Sequence, residues 1–189
     1  MTRIMRISLL AAVACVLILV MSFRSGLMSA AENEERKYVS DAHRAINEMV
    51  NLSHLDYLRD EVVSSDGTVI PIWWIYCEPS VPGDRGSEYK YVGAAGEGVS
   101  CVDDVARAAL AYLAEYERAR DEHALDMARA CFKFIEYMRT PGGHFYNFIL
   151  ESGARNLKGA VSKKGVNWWT ARAMWALARG IRVFDEVDP

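Results

Sequence analysis

Three stretches in the second half of the chain repeat apolar residues every three or four positions, which is the spacing of an amphipathic helix. They run from Val102 to about Glu117, from Asp121 to Met138, and from Asn167 to about Phe184. The pattern predicts an inward face for each helix. For the third helix, the residues predicted to point inward are Ala171, Met174, Trp175 and Ala178, with Ile181 or Val183.

The first half of the chain has a more mixed pattern. Glu32 to about Val50 repeats apolar residues at helical spacing, and Leu55 to Val63 is predicted to be a short helix or a turn. Thr68 to Tyr76 is rich in β-branched and aromatic residues and predicts a strand, which Pro71 confines to a sheet edge. Tyr89 to Val92 is expected to pair back on it, which gives a short β-hairpin near residues 68–92.

The helices at 102–117 and 121–138 are separated by only a few residues, so we expect them to form an antiparallel αα-hairpin. Helices 102–117 and 167–184 are rich in alanine, which lets neighbouring helices approach closely on several sides. The pattern therefore predicts a mainly α fold of stacked αα-hairpins.

The N-terminal segment has the features of an export signal. Arg3 and Arg6 precede an apolar run from Ile7 to Phe23, and small residues at 29–31 offer a cleavage site. The run is also nearly long enough for a membrane anchor. We therefore predict that residues 1–31 are a signal peptide or anchor, that residues 32–189 form the folded domain, and that the protein is secreted or extracytoplasmic. Any membrane contact is expected only through this segment, if it is not cleaved.

Charge and cysteine content narrow the possible partners. Removing residues 1–30 takes away three arginines and no acid, which leaves 19 basic against 25 acidic residues. This balance gives no basic footprint for nucleic acid. Cys77, Cys101 and Cys131 lack the close spacing of a zinc site. We therefore expect neither a metal nor a cofactor, and no nucleic-acid partner.

The segment "GEGVSCVDDVARAALAYL" places two adjacent acids, Asp103 and Asp104, where a loop becomes a helix. One explanation is structural, because acids in a first turn cap the helix and complement its dipole. The other is functional: one acid caps while the other faces a pocket beside Glu97. Arg107 lies one turn later and is placed to pair with either acid.

Two other segments carry polar and aromatic side chains suited to a sugar. "GGHFYNFIL" contains His144, which can carry protons near neutral pH, and Asn147. "NWWTARAMWAL" places Trp168, Trp169 and Arg172 at a helix start. Flat aromatic rings beside planar hydrogen-bonding groups fit the faces and rims of sugar rings. Core packing is the alternative explanation for each of these residues.

In their order along the chain, these three segments resemble the (α/α)6-toroid domains of the six-hairpin glycosidase-like superfamily. The resemblance is closest to helical domains associated with bacterial glycosyltransferases, and it covers roughly residues 53–185. The residues that match the three family segments are Cys101, Asp103, Asp104, Ala106, Arg107 and Ala108; Gly143, Phe145, Asn147 and Phe148; and Arg172, Ala173, Trp175, Ala176 and Leu177. Val102 and Val105 depart from the polar residues that this family places around the acid pair.

The resemblance implies a partial, N-terminal copy of the toroid, because a complete ring needs more hairpins than the sequence predicts. It also implies a carbohydrate-active protein, either a glycoside hydrolase or a domain that binds an oligo- or polysaccharide without cleaving it; another toroid chemistry such as a polysaccharide lyase is a further alternative. The expected catalytic residues are Asp103, Asp104 and Glu97. The expected sugar-binding residues are Arg107, His144, Asn147, Trp168, Trp169 and Arg172.

Overall fold

The computed structural model describes residues 33–34, 36–38, 51–84 and 86–187. The chain divides into two units, Met1–Asn51 and Leu52–Pro189, and the architecture below is that of the second. Residues 33–34 and 36–38 are helical, within the first predicted helix. The predicted signal or anchor at residues 1–31 lies outside the described residues. Among those that are described, no helix combines the length and apolarity needed to cross a membrane.

Four helices have defined bounds in the second unit. They are α1 (Ser53–Tyr57), α2 (Val102–Ala119), α3 (Glu122–Met138) and α4 (Trp168–Val187). Arg120 adopts a left-handed conformation that ends α2, and the Asp121 side chain then accepts the backbone N–H of His123 to begin α3. The long helices therefore lie where the apolar spacing predicts them.

Six short strands form three antiparallel pairs. The strands are β1 (Arg59–Val63), β2 (Val69–Trp73), β3 (Tyr76–Pro79), β4 (Tyr89–Val92), β5 (Ser100–Cys101) and β6 (Phe148–Ile149). Consecutive strands β1–β2 and β3–β4 pair as hairpins, whereas β5 pairs with the distant β6. The predicted pairing of residues 68–76 with 89–92 is thus wrong in its first half, because β2 pairs with β1 and only β3 pairs with β4.

The core is built around α2, which packs against both α3 and α4. Strand β2 covers the end of this layer, since Ile70, Ile72 and Trp73 are buried. Tyr112 of α2 is fully buried, and its hydroxyl donates to Asp56 Oδ1 of α1 at 2.8 Å. This bond ties the short helix α1 to the central helix, next to the strands that line the candidate site.

The predicted toroid fold and the family resemblance are both wrong. About 46% of the described residues are helical and 19% are strand, in three two-stranded sheets, so the fold is mixed α and β rather than mainly α. The described residues contain helices and short antiparallel hairpins, and no ring of stacked helical hairpins is evident among them. The physical reason is that, among the described residues, only α2 and α3 form an αα-hairpin, whereas residues 59–92 contain antiparallel strand pairs in place of helices.

The predicted inward face of α4 is also wrong, except at Val183. Its buried residues are Trp169, Thr170, Ala173, Ala176, Gly180 and Val183. Met174, Trp175 and Ile181 are instead about 60% exposed or more. Gly180 permits this orientation, because a Cβ there would lie 2.6 Å from the ring of Phe132 on α3. The helix therefore packs largely through small residues, together with Trp169 and Val183, and leaves Met174, Trp175 and Ile181 outside.

Candidate functional site

The start of α2 is capped by groups other than the two acids. The Sγ atom of Cys101 accepts the backbone N–H of Asp104 at 3.4 Å. The side-chain oxygen of Asn147, which lies 44 residues further along the chain, accepts the N–H of Asp103 at 3.1 Å. Because these two groups satisfy the first free N–H donors of the helix, both carboxylates remain available for other contacts.

Each carboxylate is paired with arginine. Asp103 contacts Arg172 of α4 and, at 3.3 Å, Arg107 of its own helix. Asp104 contacts Arg107 and also accepts the thiol hydrogen of Cys101, with 3.1 Å between Sγ and Oδ2. The Asp103 side chain is only 15% exposed, whereas those of Asp104 and Arg107 are 41% and 55% exposed. Asp103 therefore joins two helices, and the Asp104–Arg107 pair faces outward.

The Asp104–Arg107 pair lies in the wall of a cleft of about 520 Å³. Leu55 and Leu58 contribute one apolar side of the cleft. Aromatic residues at the end of β2 and beyond it contribute the rest. The lining residues are Leu55, Leu58, Trp73, Trp74, Ile75, Tyr76, Asp104, Arg107 and Ala108. The cleft therefore combines flat aromatic and apolar surface with one carboxylate and one guanidinium.

The structure brings together only some of the predicted site residues. Asp103, Asp104, Arg107, Asn147 and Arg172 meet at the start of α2, although Asn147 is buried and bonded to protein atoms on both sides of its amide. The indole of the buried Trp169 donates to the carbonyl of Phe145 at 3.0 Å, which is a packing role.

Other predicted residues lie away from the cleft. His144 and the 54%-exposed Trp168 are not among its lining residues. Glu97 instead lines a separate cavity. The predicted catalytic set of Asp103, Asp104 and Glu97 is thus divided among a partly buried ion pair, the cleft and a second cavity.

Trp74 and Tyr76 line the cleft but were missing from the predicted site. A signal for Trp74 is present in the sequence, because adjacent tryptophans in a strand point to opposite faces and only one of them can enter the core. Trp73 is 3% exposed, whereas Trp74, which follows the last residue of β2, is partly exposed. The outcome fits the prediction, although β2 itself is buried at every residue from Ile70 to Trp73 and does not alternate. The sequence alone does not show that this strand end lies beside Asp104.

The three described cysteines are free thiols, and two of them are buried. Burial, together with the nearby Asp104 carboxylate, holds the pKa of Cys101 well above its ordinary value. Burial likewise raises the pKa of Cys131. Both thiols therefore stay protonated near neutral pH, which suits Cys101 as a hydrogen-bond donor to Asp104 and not as a nucleophile.

This state of the thiols predicts their reactivity. In the folded protein we expect iodoacetamide at pH 8 to label Cys77, which is partly exposed, at least about tenfold faster than Cys101 or Cys131. Peptide mass spectrometry after timed quenching measures each site separately, and labelling in urea provides the control in which all three react alike. Equal rates for Cys77 and Cys101 without urea would contradict the burial of Cys101.

The described residues contain no cluster of three or more histidine, cysteine or acidic side chains arranged to hold a metal ion. The polar chemistry of the cleft is therefore carried by the Asp104–Arg107 pair.

No protein-family model matches the chain, and no curated protein matches it either.

Proposed function

We propose that the second unit of this protein binds carbohydrate in the cleft beside the start of α2 and does not hydrolyse it. The observation that carries the proposal is the placement of the Asp104–Arg107 pair in one cleft with Trp74 and Tyr76. A sugar presents apolar C–H faces and a rim of hydroxyls. An aromatic wall fits the first, and a fixed carboxylate and guanidinium fit the second by accepting and donating hydrogen bonds.

Binding is favoured over hydrolysis by the number and state of the carboxylates. Glycoside hydrolysis ordinarily needs two carboxyl groups facing one bond, and one of them must carry a proton. Among its lining residues the cleft has one carboxylate, Asp104, which is held beside Arg107. An ion-paired carboxylate accepts hydrogen bonds from sugar hydroxyls, but one carboxyl group does not supply the pair of acidic residues that hydrolysis needs.

The proposal also includes export. The N-terminal pattern at residues 1–31 predicts that the protein leaves the cytoplasm, where extracellular or envelope polysaccharides would be its partners. Fractionation of cells that express the full chain tests this part separately from sugar binding.

Trp74→Ala and Asp104→Asn should each weaken sugar binding at least about tenfold, equivalent to about 1.4 kcal/mol. The first removes the flat surface, and the second removes a charge-assisted acceptor while keeping the side-chain size. The wild-type protein is first screened against an array of neutral and acidic oligosaccharides. Calorimetric titration then compares the variants on the glycans bound, and Trp74→Phe shows whether a flat ring alone restores binding.

Trp175→Ala is the matched control for tryptophan removal. Trp175 is 64% exposed on α4 and does not line the cleft, so its loss should leave affinity unchanged. Absence of binding in both the array and the titration, or equal affinity in all variants, would refute the proposal. Reducing ends released by the wild type and lost in Asp104→Asn would instead establish hydrolysis.

A further inference from the structure

A second cavity, of about 610 Å³, adjoins the cleft at Trp74. Trp74 lines both spaces, and the second cavity continues along Tyr91 and the glycine-rich segment 92–99 to Leu150, Glu151 and Asn156. One side chain therefore forms part of the wall of two neighbouring spaces, one containing Asp104 and the other containing Glu97 and Glu151.

The aromatic wall between the two spaces is held in a fixed orientation. The indole N–H of Trp74 donates to Asp60 Oδ2 at 2.9 Å, and the ring of Tyr91 stacks parallel to it, with centroids 5.5 Å apart and planes 8° apart. The Tyr91 hydroxyl in turn donates to the carbonyl of Tyr57 at 2.7 Å. A wall arranged before binding loses little side-chain entropy when a ring contacts it.

The polar groups of the second cavity are two carboxylates on separate segments. Glu97 lies in the loop between β4 and β5, and Glu151 follows β6. The buried Asn156 donates to the carbonyl oxygens of Gly96 and Glu97, at 3.2 and 2.7 Å, which holds that loop in place. No ion pair within the described part of the chain neutralises either carboxylate, in contrast to the Asp104–Arg107 pair.

We propose that this second cavity is an adjoining sugar subsite, so that the protein binds an oligosaccharide of two or more rings across Trp74. The inference rests on the proposed function, because it extends the same binding surface. Glu97 and Glu151 accept hydrogen bonds from ring hydroxyls and repel a negative charge. The unit bound there is therefore a sugar without a negative charge, and not a uronic acid.

Calorimetric titration with glucose, mannose and N-acetylglucosamine series of one to four rings tests the length requirement. We expect the affinity within the preferred series to rise at least tenfold from one ring to the longer members. The double variant Glu97→Ala/Glu151→Ala should reduce the affinity for longer members to that for one ring, while one-ring affinity stays unchanged. Glu122→Gln/Glu186→Gln, which changes two exposed acids that line neither space, is the matched control.

The charge requirement is tested with oligogalacturonides of the same lengths. We expect them to bind at least tenfold more weakly than the preferred neutral series, and Glu97→Gln/Glu151→Gln should narrow that difference. Equal affinity for one ring and four rings, or equal binding of neutral and acidic chains, would overturn the inference while the proposed function stands. Failure of every series to bind would overturn both, because the first cleft would then bind no sugar either.

Discussion

Replacing Gly98 by alanine should destabilise the protein by about 3 kcal/mol, because the added methyl group has no space. An ideal Cβ at this position would lie 2.2 Å from the carbonyl oxygen of Ile149 and 3.0 Å from its carbonyl carbon. Both are backbone atoms, so no side-chain rotation relieves the overlap. The two chain segments must separate, and urea unfolding followed by tryptophan fluorescence measures the cost.

This separation would disrupt the backbone pairing that places the start of α2. The N–H of Val99 donates to the Ile149 carbonyl at 2.9 Å, and the next residues pair as β5 with β6. The overlap therefore acts on the strand pair that immediately precedes Asp103 and Asp104. We expect weaker sugar binding in this variant as well, since it displaces the wall shared by Asp104 and Arg107.

Gly142→Ala is the matched control for this experiment. Gly142 does not have a positive φ. The atom nearest to an added Cβ would be a ring nitrogen of His144 at 3.8 Å, which is an ordinary van der Waals contact. The free energy of unfolding of the Gly142→Ala protein should differ from that of the wild type by less than about 0.5 kcal/mol. A Gly98→Ala variant as stable as Gly142→Ala would contradict the close packing of β5 against β6.

The helices of the second unit were predictable because their cause is local. In α2, the spacing of Val105, Ala109, Tyr112 and Leu113 already defines one buried face, and all four are buried. An apolar face with this spacing predicts a helix and the side that enters the core, although α2 also buries alanines on its other sides. A different local pattern, the two-residue period of a strand, predicts that only one of the adjacent residues Trp73 and Trp74 is in the core, and Trp73 is the buried one.

The orientation of α4 was not predictable in the same way. Its sequence carries Met174, Trp175 and Ile181 on one side, while the other side is mostly small residues but includes Trp169 and Val183. Hydrophobicity alone therefore does not decide which side enters the core. Packing against its neighbours selects the second of these sides, because α4 lies mainly against α2 and Gly180 accommodates the ring of Phe132 on α3. Complementary shape with a distant partner decided the face, and a single helix does not encode its partner.

The toroid was predicted from alanine-rich helices and ordered short motifs, and neither determines how many hairpins stack. The strand pairing of β1 with β2 shows the same limit. Residues 59–63 contain two acids and an arginine, so their composition favours a surface helix or turn. They form a strand instead, because they pair with β2. Tertiary pairing here overrides weak local preference.

The acid pair illustrates both explanations that the sequence left open. Neither acid caps its own helix through its side chain, because Cys101 and Asn147 fill that role. Asp103 then serves as a partly buried link to Arg172, and Asp104 is the acid left in the cleft. Distinguishing the two from sequence would require knowing that Asn147 returns to the helix start, a contact between segments 44 residues apart.

Replacing Asn147 by alanine should destabilise the protein by about 2–4 kcal/mol, because two partly buried backbone groups lose their hydrogen-bond partners. Its amide oxygen accepts from Asp103 N–H, and its amide nitrogen donates to the carbonyl of Val161 at 3.1 Å. The alanine side chain has no atom that can bond either group, and little water reaches a site where Asn147 is 3% exposed. Urea unfolding measures the loss, and calorimetry on the folded variant measures sugar affinity.

Asn167→Ala provides the matched control, because Asn167 also accepts a helix N–H through its side chain, from Thr170 at 3.0 Å, but at a partly exposed position. Its replacement should cost about 1 kcal/mol, as is usual for a capping residue. A larger loss at Asn147 that leaves affinity nearly unchanged below the unfolding transition identifies a residue that builds the site without contacting sugar. Loss of affinity at unchanged stability would instead make Asn147 a sugar-binding residue, because only a direct contact with the ring acts without weakening the fold.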